Sequence, residues 1–517
     1  MQKLKRTSKT VLFLTMALLF CLCMQLTSCF HNAPKTETSL DVASEKGGSV
    51  IVGITQEPGL FDPHKASSAG DREILFNIYE GLVKCTPEGD FVPALATDCV
   101  VSEDGRSYTF TLRSGVKFHN GQVLTEKDVI YSLSRAAGFF AADEKPLVST
   151  MENVQSVTEE DGKIVVGLKN PDSAMLAFFT VAIIPENYED LEKNPVGTGP
   201  FKWRAYTVGQ SVELLKNEDY WIEGIPYLDK ATFKITADMD AAFLELLGGS
   251  IDIFPYLTVE KANQLENQYE IVSAPSNMIH VWALNNQEEP FTHPKVREAL
   301  NYAIDRESLI LQVMGISDNI PLSGAMSPTM GDYYNTDLDN GFSYDVEKAK
   351  ALLSEAGYPD GFSTTVTVPS NYLIHVDTAV IIKQQLKEVG IELEILQVDW
   401  PTWKSDIYAG RQYMSTVVAV DSEYHPADVL SRYVSNASDN FINYKNEDFD
   451  RIYALAISES DPETRIALYH DLQKFLYEDA ASVYLQDPTT LVAVKKELAG
   501  YFVYPIYVQD LSTVYYK

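Results

Sequence analysis

Along the chain the spacing of apolar and polar positions changes repeatedly, and each change predicts an element. Val11 to Met24 is a continuous apolar run, too short to span a bilayer comfortably. Residues 30–49 are polar, have no sustained period and end in Gly-Gly-Ser, which predicts a flexible tether. Val50 to Ile54 opens the folded part as a short strand. Tyr108, Phe110 and Leu112 alternate with Thr109, Thr111 and Arg113 behind an Asp104-Gly105 turn, the pattern of a β-hairpin. Thr125 and Asp128 form a helix-start pair ahead of Val129, Ile130 and Leu133.

The second half alternates helical and strand periods. His293 or Thr292 caps a helix with Pro294 in its first turn and Val296, Ala299, Leu300, Ala303 and Ile304 on one face. Asp345 caps the next, which buries Ala349, Leu352 and Leu353 and stops at Gly357. Thr364 to Val368 reads as a strand and Asp377 to Val389 as a helix. Ile391, Leu393 and Ile395 then alternate with Glu392 and Glu394, completing a β-α-β unit. A further helix from Asp461-Pro462 buries Ile466, Tyr469, Leu472 and Leu476. No repeat of 20 to 50 residues is present, which excludes a solenoid or propeller.

The charge around the first apolar run changes its meaning. Lys3, Lys5, Arg6 and Lys9 precede it, and Leu26-Thr27-Ser28-Cys29 follows it. This resembles a bacterial lipoprotein signal, with residues 1–28 removed and Cys29 acylated as the first residue of a 29–49 tether. The expected address is extracytoplasmic, on the cell membrane through lipid alone, or periplasmic if the cell has an outer membrane. The 517 residues are 45% hydrophobic and 11% aromatic, enough for about two or three domains. The net charge is −32 although the leader is wholly basic, so the remainder is more acidic still. Nucleic acid is therefore excluded as a natural partner, and a cationic group is attracted. Of five cysteines, Cys85 and Cys99 lie beyond the leader and Cys29. Either they pair, which stabilises by roughly 3 kcal/mol, or they are two small buried hydrophobes.

Catalytic signatures are missing: no HExxH, GxSxG or phosphate-loop pattern occurs. Gly197-Thr198-Gly199-Pro200 lacks a third glycine, and Pro200 removes an N–H that a phosphate cradle needs, so it predicts a tight turn. His119, His293 and His470 are scattered and read as cap or surface residues. The expectation is a non-enzyme with no cofactor and no resident metal.

Seven collinear blocks then point one way. They are FDPHKASSAGDREILFNIYEGL (61–82), ALATDCVVSEDGRSYTFTLRSGVKFHNGQVLTEKDVIYSL (94–133), NPVGTGPFKW (194–203), NEDYW (217–221), PKVREALNYAIDRESLI (294–310), YDVEKAKALLSEAGYPDGF (344–362) and FINYKNEDFDRI (441–452). Together they resemble the extracytoplasmic solute-binding proteins of peptide- and nickel-type ABC importers (family 5). The resemblance implies an α/β, two-lobed periplasmic-binding-protein fold (type II, large peptide-binding cluster). Residues 50–284 and 490–517 would form lobe I, with an inserted α/β subdomain at about 74–190. Residues 285–489 would form lobe II, joined to it by two hinge-crossing segments. It also implies a monomer that captures short peptides or another small solute and delivers them to permease and ATPase subunits.

In peptide-binding members an acidic residue meets the ligand's α-ammonium within a Gly-Trp-x-x-Asp-Tyr segment. The matching stretch is Thr416 to Leu430, with Asp421 as the counterpart and Glu423 as a register-shifted alternative. Val417 and Val418 stand where that pattern has Gly-Trp, and His425 lies nearby; both favour the family's nickel, metallophore or oligosaccharide branch. Outside the family the rivals are a secreted hydrolase and a signalling or adhesion lipoprotein. Trp400, Trp403, Tyr484, Asn285, Ser67 and Ser68 complete the expected cleft, and Trp282 is expected in packing.

Overall fold

A computed structural model describes residues 47–66, 68–141, 145–315, 319–339, 341–422 and 425–517. The expected signal segment, Cys29, most of the expected tether, Ser67 and Glu423 lie outside the described residues. Gly47 and Gly48 are already fixed: their amides donate to the Tyr227 carbonyl and the Asp229 carboxylate.

Two large sheets define two lobes. The first runs, in spatial order, Tyr269–Pro275, Thr489–Lys495, Ile253–Phe254, Ser49–Ile54, Lys230–Ile235, Ser211–Lys216 and Phe201–Thr207. The second runs Ile320–Pro321, Val483–Asp487, Met278–Leu284, Ser415–Asp421, Ser363–Pro369 and Glu392–Val398. The chain crosses between them twice, from Pro275 to Met278 and from Asp487 to Thr489. Residues 278–284, expected with the first lobe, are thus an interior strand of the second sheet, paired on both sides. Alternation marks a strand but does not say which sheet receives it, and Ile279 to Leu284 is buried on both faces.

A four-stranded sheet, Ala96–Val101, Ser107–Leu112, Lys163–Leu168 and Val154–Glu160, forms the inserted subdomain with the helix Glu126–Ala136. The predicted hairpin is there, with Gly105 at φ 66° and the Ser102 hydroxyl donating to Asp104. At the helix start the Thr125 amide and hydroxyl both donate to the Asp128 carboxylate at 2.8 Å.

Several family blocks prove to be scaffold that meets in space. Glu80, buried in the Tyr-Glu-Gly-Leu block, accepts from Thr198 Oγ1 (2.8 Å), Tyr220 Oη (2.7 Å) and Trp221 Nε1 (3.0 Å). A Cβ on Gly81 would meet the Phe179 carbonyl at 2.4 Å, and one on Gly197 the Ile78 carbonyl at 2.0 Å. Gly197 to Pro200 is accordingly a close backbone contact, clamped by His119, whose Nε2 faces the Gly199 carbonyl at 3.0 Å.

In the second lobe the predicted helices form at Pro294–Ala303, Val346–Glu355 and Pro462–Glu478. Asp345 and Asp461 cap the latter two through the Lys348 and Thr464 amides. The helix expected from Asp377 instead begins at Leu373 and runs to Leu386, with a 3₁₀ turn to Val389. Its extra first turn has no side-chain cap; it is held where His375 is buried. Cys85 and Cys99 are both buried and are not joined to each other.

Candidate ligand-binding cleft

Between the lobes lies a cavity of about 590 Å³, floored by both crossings. That volume falls in the roughly 300–1,000 Å³ range of small-molecule sites. Asp487 ties the crossings together. Its Oδ1 accepts from the Ser276 amide and hydroxyl (both 3.1 Å) and the Met278 amide (3.2 Å), and its Oδ2 accepts from Ser327 Oγ. Burial pushes its carboxyl above the ordinary value while those donors hold it down.

The second-lobe wall consists of Tyr372 and His375 from the start of the helix, Trp400, and Val418, Ala419, Asp421 and Ser422 at the strand end. Tyr372 meets Trp400 edge-on at 5.1 Å between ring centroids. Asp421 stands at the last position of its strand, opposite Met278 in register. From the first lobe, the Tyr507 phenol reaches Asp421, and it is pushed up by burial, by the Asp421 charge and by a hydrogen bond to that carboxylate.

The first-lobe wall comes from Arg72, Tyr256 and the C-terminal stretch Tyr501 to Gln509. That stretch is irregular, and side chains pin it: Tyr501 donates to Gln509 Oε1 (2.7 Å) and Tyr504 to Asp510 Oδ2 (2.8 Å). Burial works to raise the Asp510 carboxyl, but Lys84 and Ser512 hold it down to about 2. Tyr256 sits at φ 68°, and its hydroxyl donates to buried Glu73 at 2.6 Å.

His375 continues into the core. Its Nδ1 lies 3.2 Å from His280 Nε2, and His280 Nδ1 lies 3.2 Å from Gln486 Nε2, next to the second crossing. Burial pushes His375 down to about 4 and His280 well below its ordinary value, so the pair is uncharged at neutral pH.

The structure brings two of the expected site residues, Asp421 and Trp400, to the cavity. Trp403 stacks behind Trp400 at 5.0 Å and is buried, donating from Nε1 to Thr416 Oγ1. Tyr484 is 1% exposed, within the second-lobe core. Asn285 is buried and donates to the Arg411 and Tyr413 carbonyls. Ser68 caps the helix Ala69–Leu75 through the Asp71 amide. His425 caps Pro426–Ser431 through the Ala427 amide and packs on Tyr333 and Tyr469 at the side of a smaller cavity of about 360 Å³. Burial pushes it down to about 3.

Arg72, Tyr256, Tyr372 and His375 carried no sequence signal of a site, and the 501–509 segment was missed as well. The segment's sequence, YFVYPIYVQ, has neither helical nor strand period. Its density of aromatic residues in an aperiodic stretch was the usable clue.

Two lobes joined by paired crossings around an aromatic cavity define a clamp for a small solute. The profile of the bacterial extracellular solute-binding proteins, family 5, matches residues 90–441, and the chain belongs to that family. It is 29% identical to the oligopeptide-binding protein AppA of Bacillus subtilis (strain 168), over 96% of this chain and 97% of AppA. It is 28% identical to the glutathione-binding protein GsiB of Salmonella typhi, over 88% and 92% of the two chains. The periplasmic binding protein DppA of Helicobacter pylori, solved with the peptide STSA, superposes with a TM-score of 0.74 at 27% identity, covering 91% of this chain and 98% of that one.

Proposed function

We propose that this protein is the substrate-binding component of an ABC importer that captures short peptides, with Asp421 receiving the peptide α-ammonium. The carrying observation is the Asp421 carboxylate at the strand end of an interlobe cavity walled by Tyr256, Tyr372, Trp400 and Tyr507. A carboxylate in such surroundings suits a cationic donor, and rigid aromatic walls suit varied side chains at low entropic cost. Peptide binding by named relatives supports the same reading. Closure of the lobes on the ligand supplies the signal to the permease, and no covalent chemistry is needed. Acylation at Cys29 would hold this clamp at the membrane surface, two acyl chains giving stable anchoring. The nickel-complex reading draws no support from His425, whose Nδ1 is used as a helix cap.

Calorimetric titration of tri-alanine and N-acetyl-tri-alanine tests this. Wild type should bind the free amine about tenfold or more tightly, and Asp421→Asn should erase that preference. Equal binding of both peptides by wild type would remove Asp421 as the anchor. No binding of any free-amine peptide would remove the peptide assignment itself.

A further inference from the structure

The chain has 73 acidic and 41 basic residues, and most of its arginines outside ion pairs hold backbone carbonyls, as Arg297, Arg306 and Arg411 do. Arg72 does neither. It is exposed, lines the first-lobe side of the cleft, and makes no ion pair or side-chain hydrogen bond among the described residues. The acids flanking it in sequence are engaged elsewhere. Asp71 is buried and accepts from the Gly59 (2.7 Å), Leu60 (3.3 Å) and Ser68 (3.3 Å) amides. Glu73 is buried and accepts from Tyr256. Both point into the lobe, and the guanidinium between them is left facing the cavity.

Nothing else among the described cavity residues offers a cation. The lining includes no lysine, and His375 is held neutral. Asp421 and Arg72 therefore present opposite charges from opposite walls, one on each lobe. A guanidinium offers a planar fork of donors matched to a carboxylate.

We infer that Arg72 binds a carboxylate of the ligand, so that the cleft selects peptides bearing a negative group at a fixed distance from the α-ammonium. That group is either the peptide's own C-terminus, which makes Arg72 a length gauge, or an acidic side chain. Because each charge sits on a different lobe, a ligand that spans them also draws the lobes together. This rests on the peptide reading above.

The test titrates alanine peptides of two to six residues, each as free acid and as C-terminal amide, together with amides carrying one glutamate. Wild type should favour the acid over the amide about tenfold at one length, and Arg72→Gln should bind the two forms equally. If instead only glutamate-containing amides show the wild-type advantage and lose it in Arg72→Gln, the carboxylate comes from a side chain. Equal binding of acids, amides and glutamate peptides by wild type overturns the role of Arg72 and leaves the peptide reading intact. Failure of the whole panel to bind overturns both.

Discussion

Glu80 joins three stretches of chain that are far apart in sequence. Thr198, Tyr220 and Trp221 all donate to its carboxylate, and Arg113 lies 4.1 Å over the Trp221 ring. Removing the acceptor strands three donors in a buried site, at roughly 1–3 kcal/mol each when unsatisfied. Glu80→Ala should therefore destabilise the protein by about 3 kcal/mol or more, read as a lower urea midpoint. Glu80→Gln, which keeps one acceptor oxygen, should cost clearly less. A partial motif match, with Val417 and Val418 in place of Gly-Trp, was enough to point to Asp421 at the cavity wall. Residue identity was not legible at Trp400 and Trp403, three positions apart and stacked with 2° between their planes. One lines the cavity and the other fills the core, a difference set by how their short helical segment is docked. Asn285 failed because a polar group near a crossing satisfies backbone as readily as ligand, and Tyr484 because its ring fills the second-lobe core.

Elements were legible where a period and a cap agreed, as in the hairpin at Gly105 and the helices capped by Asp345 and Asp461. The helix from Leu373 was misplaced by one turn because its start is held by tertiary burial of His375, which local sequence does not record. The 501–509 wall was missed for the same reason in stronger form: long-range bonds hold it. Asn77 donates from Nδ2 to the Gln509 carbonyl at 2.6 Å and accepts from the Leu511 amide at 3.0 Å. Its two bonds join residues more than 400 positions apart. Asn77→Ala should cost about 2 kcal/mol of stability. It should also speed amide exchange across 501–511 and weaken peptide binding, because one wall of the cleft loosens. Unchanged exchange in that stretch would show that the aromatic contacts alone hold it.

At the scale of the whole molecule, the two lobes and their paired crossings followed from the family blocks, while the position of the first crossing did not. Both crossings converge on Asp487, and the neighbouring Gln486 leads through His280 to His375 at the cavity wall. Those two histidines belong to a larger set. His64 and His119 are pushed down to about 4 and His425 to about 3, in each case by burial first. An unfolded histidine titrates near 6.5. Between about pH 6.5 and 4 the unfolded chain thus binds protons that these folded histidines refuse, and stability must rise with pH across that window. Two terms oppose this. The buried carboxylates of Glu80 and Asp487 are raised by burial and hold protons better when folded. Acidification also relieves the self-repulsion of a −32 chain. The repulsion between exposed charges is screened beyond about 8 Å at 0.15 M salt, whereas the histidine term is local and buried. At that ionic strength the melting temperature should fall steadily from pH 7 to pH 5. Replacing His280 and His375 together by glutamine, which carries no titrating proton, should flatten part of that slope. A melting temperature that rises on acidification at 0.15 M salt would mean that charge relief outweighs the buried histidines.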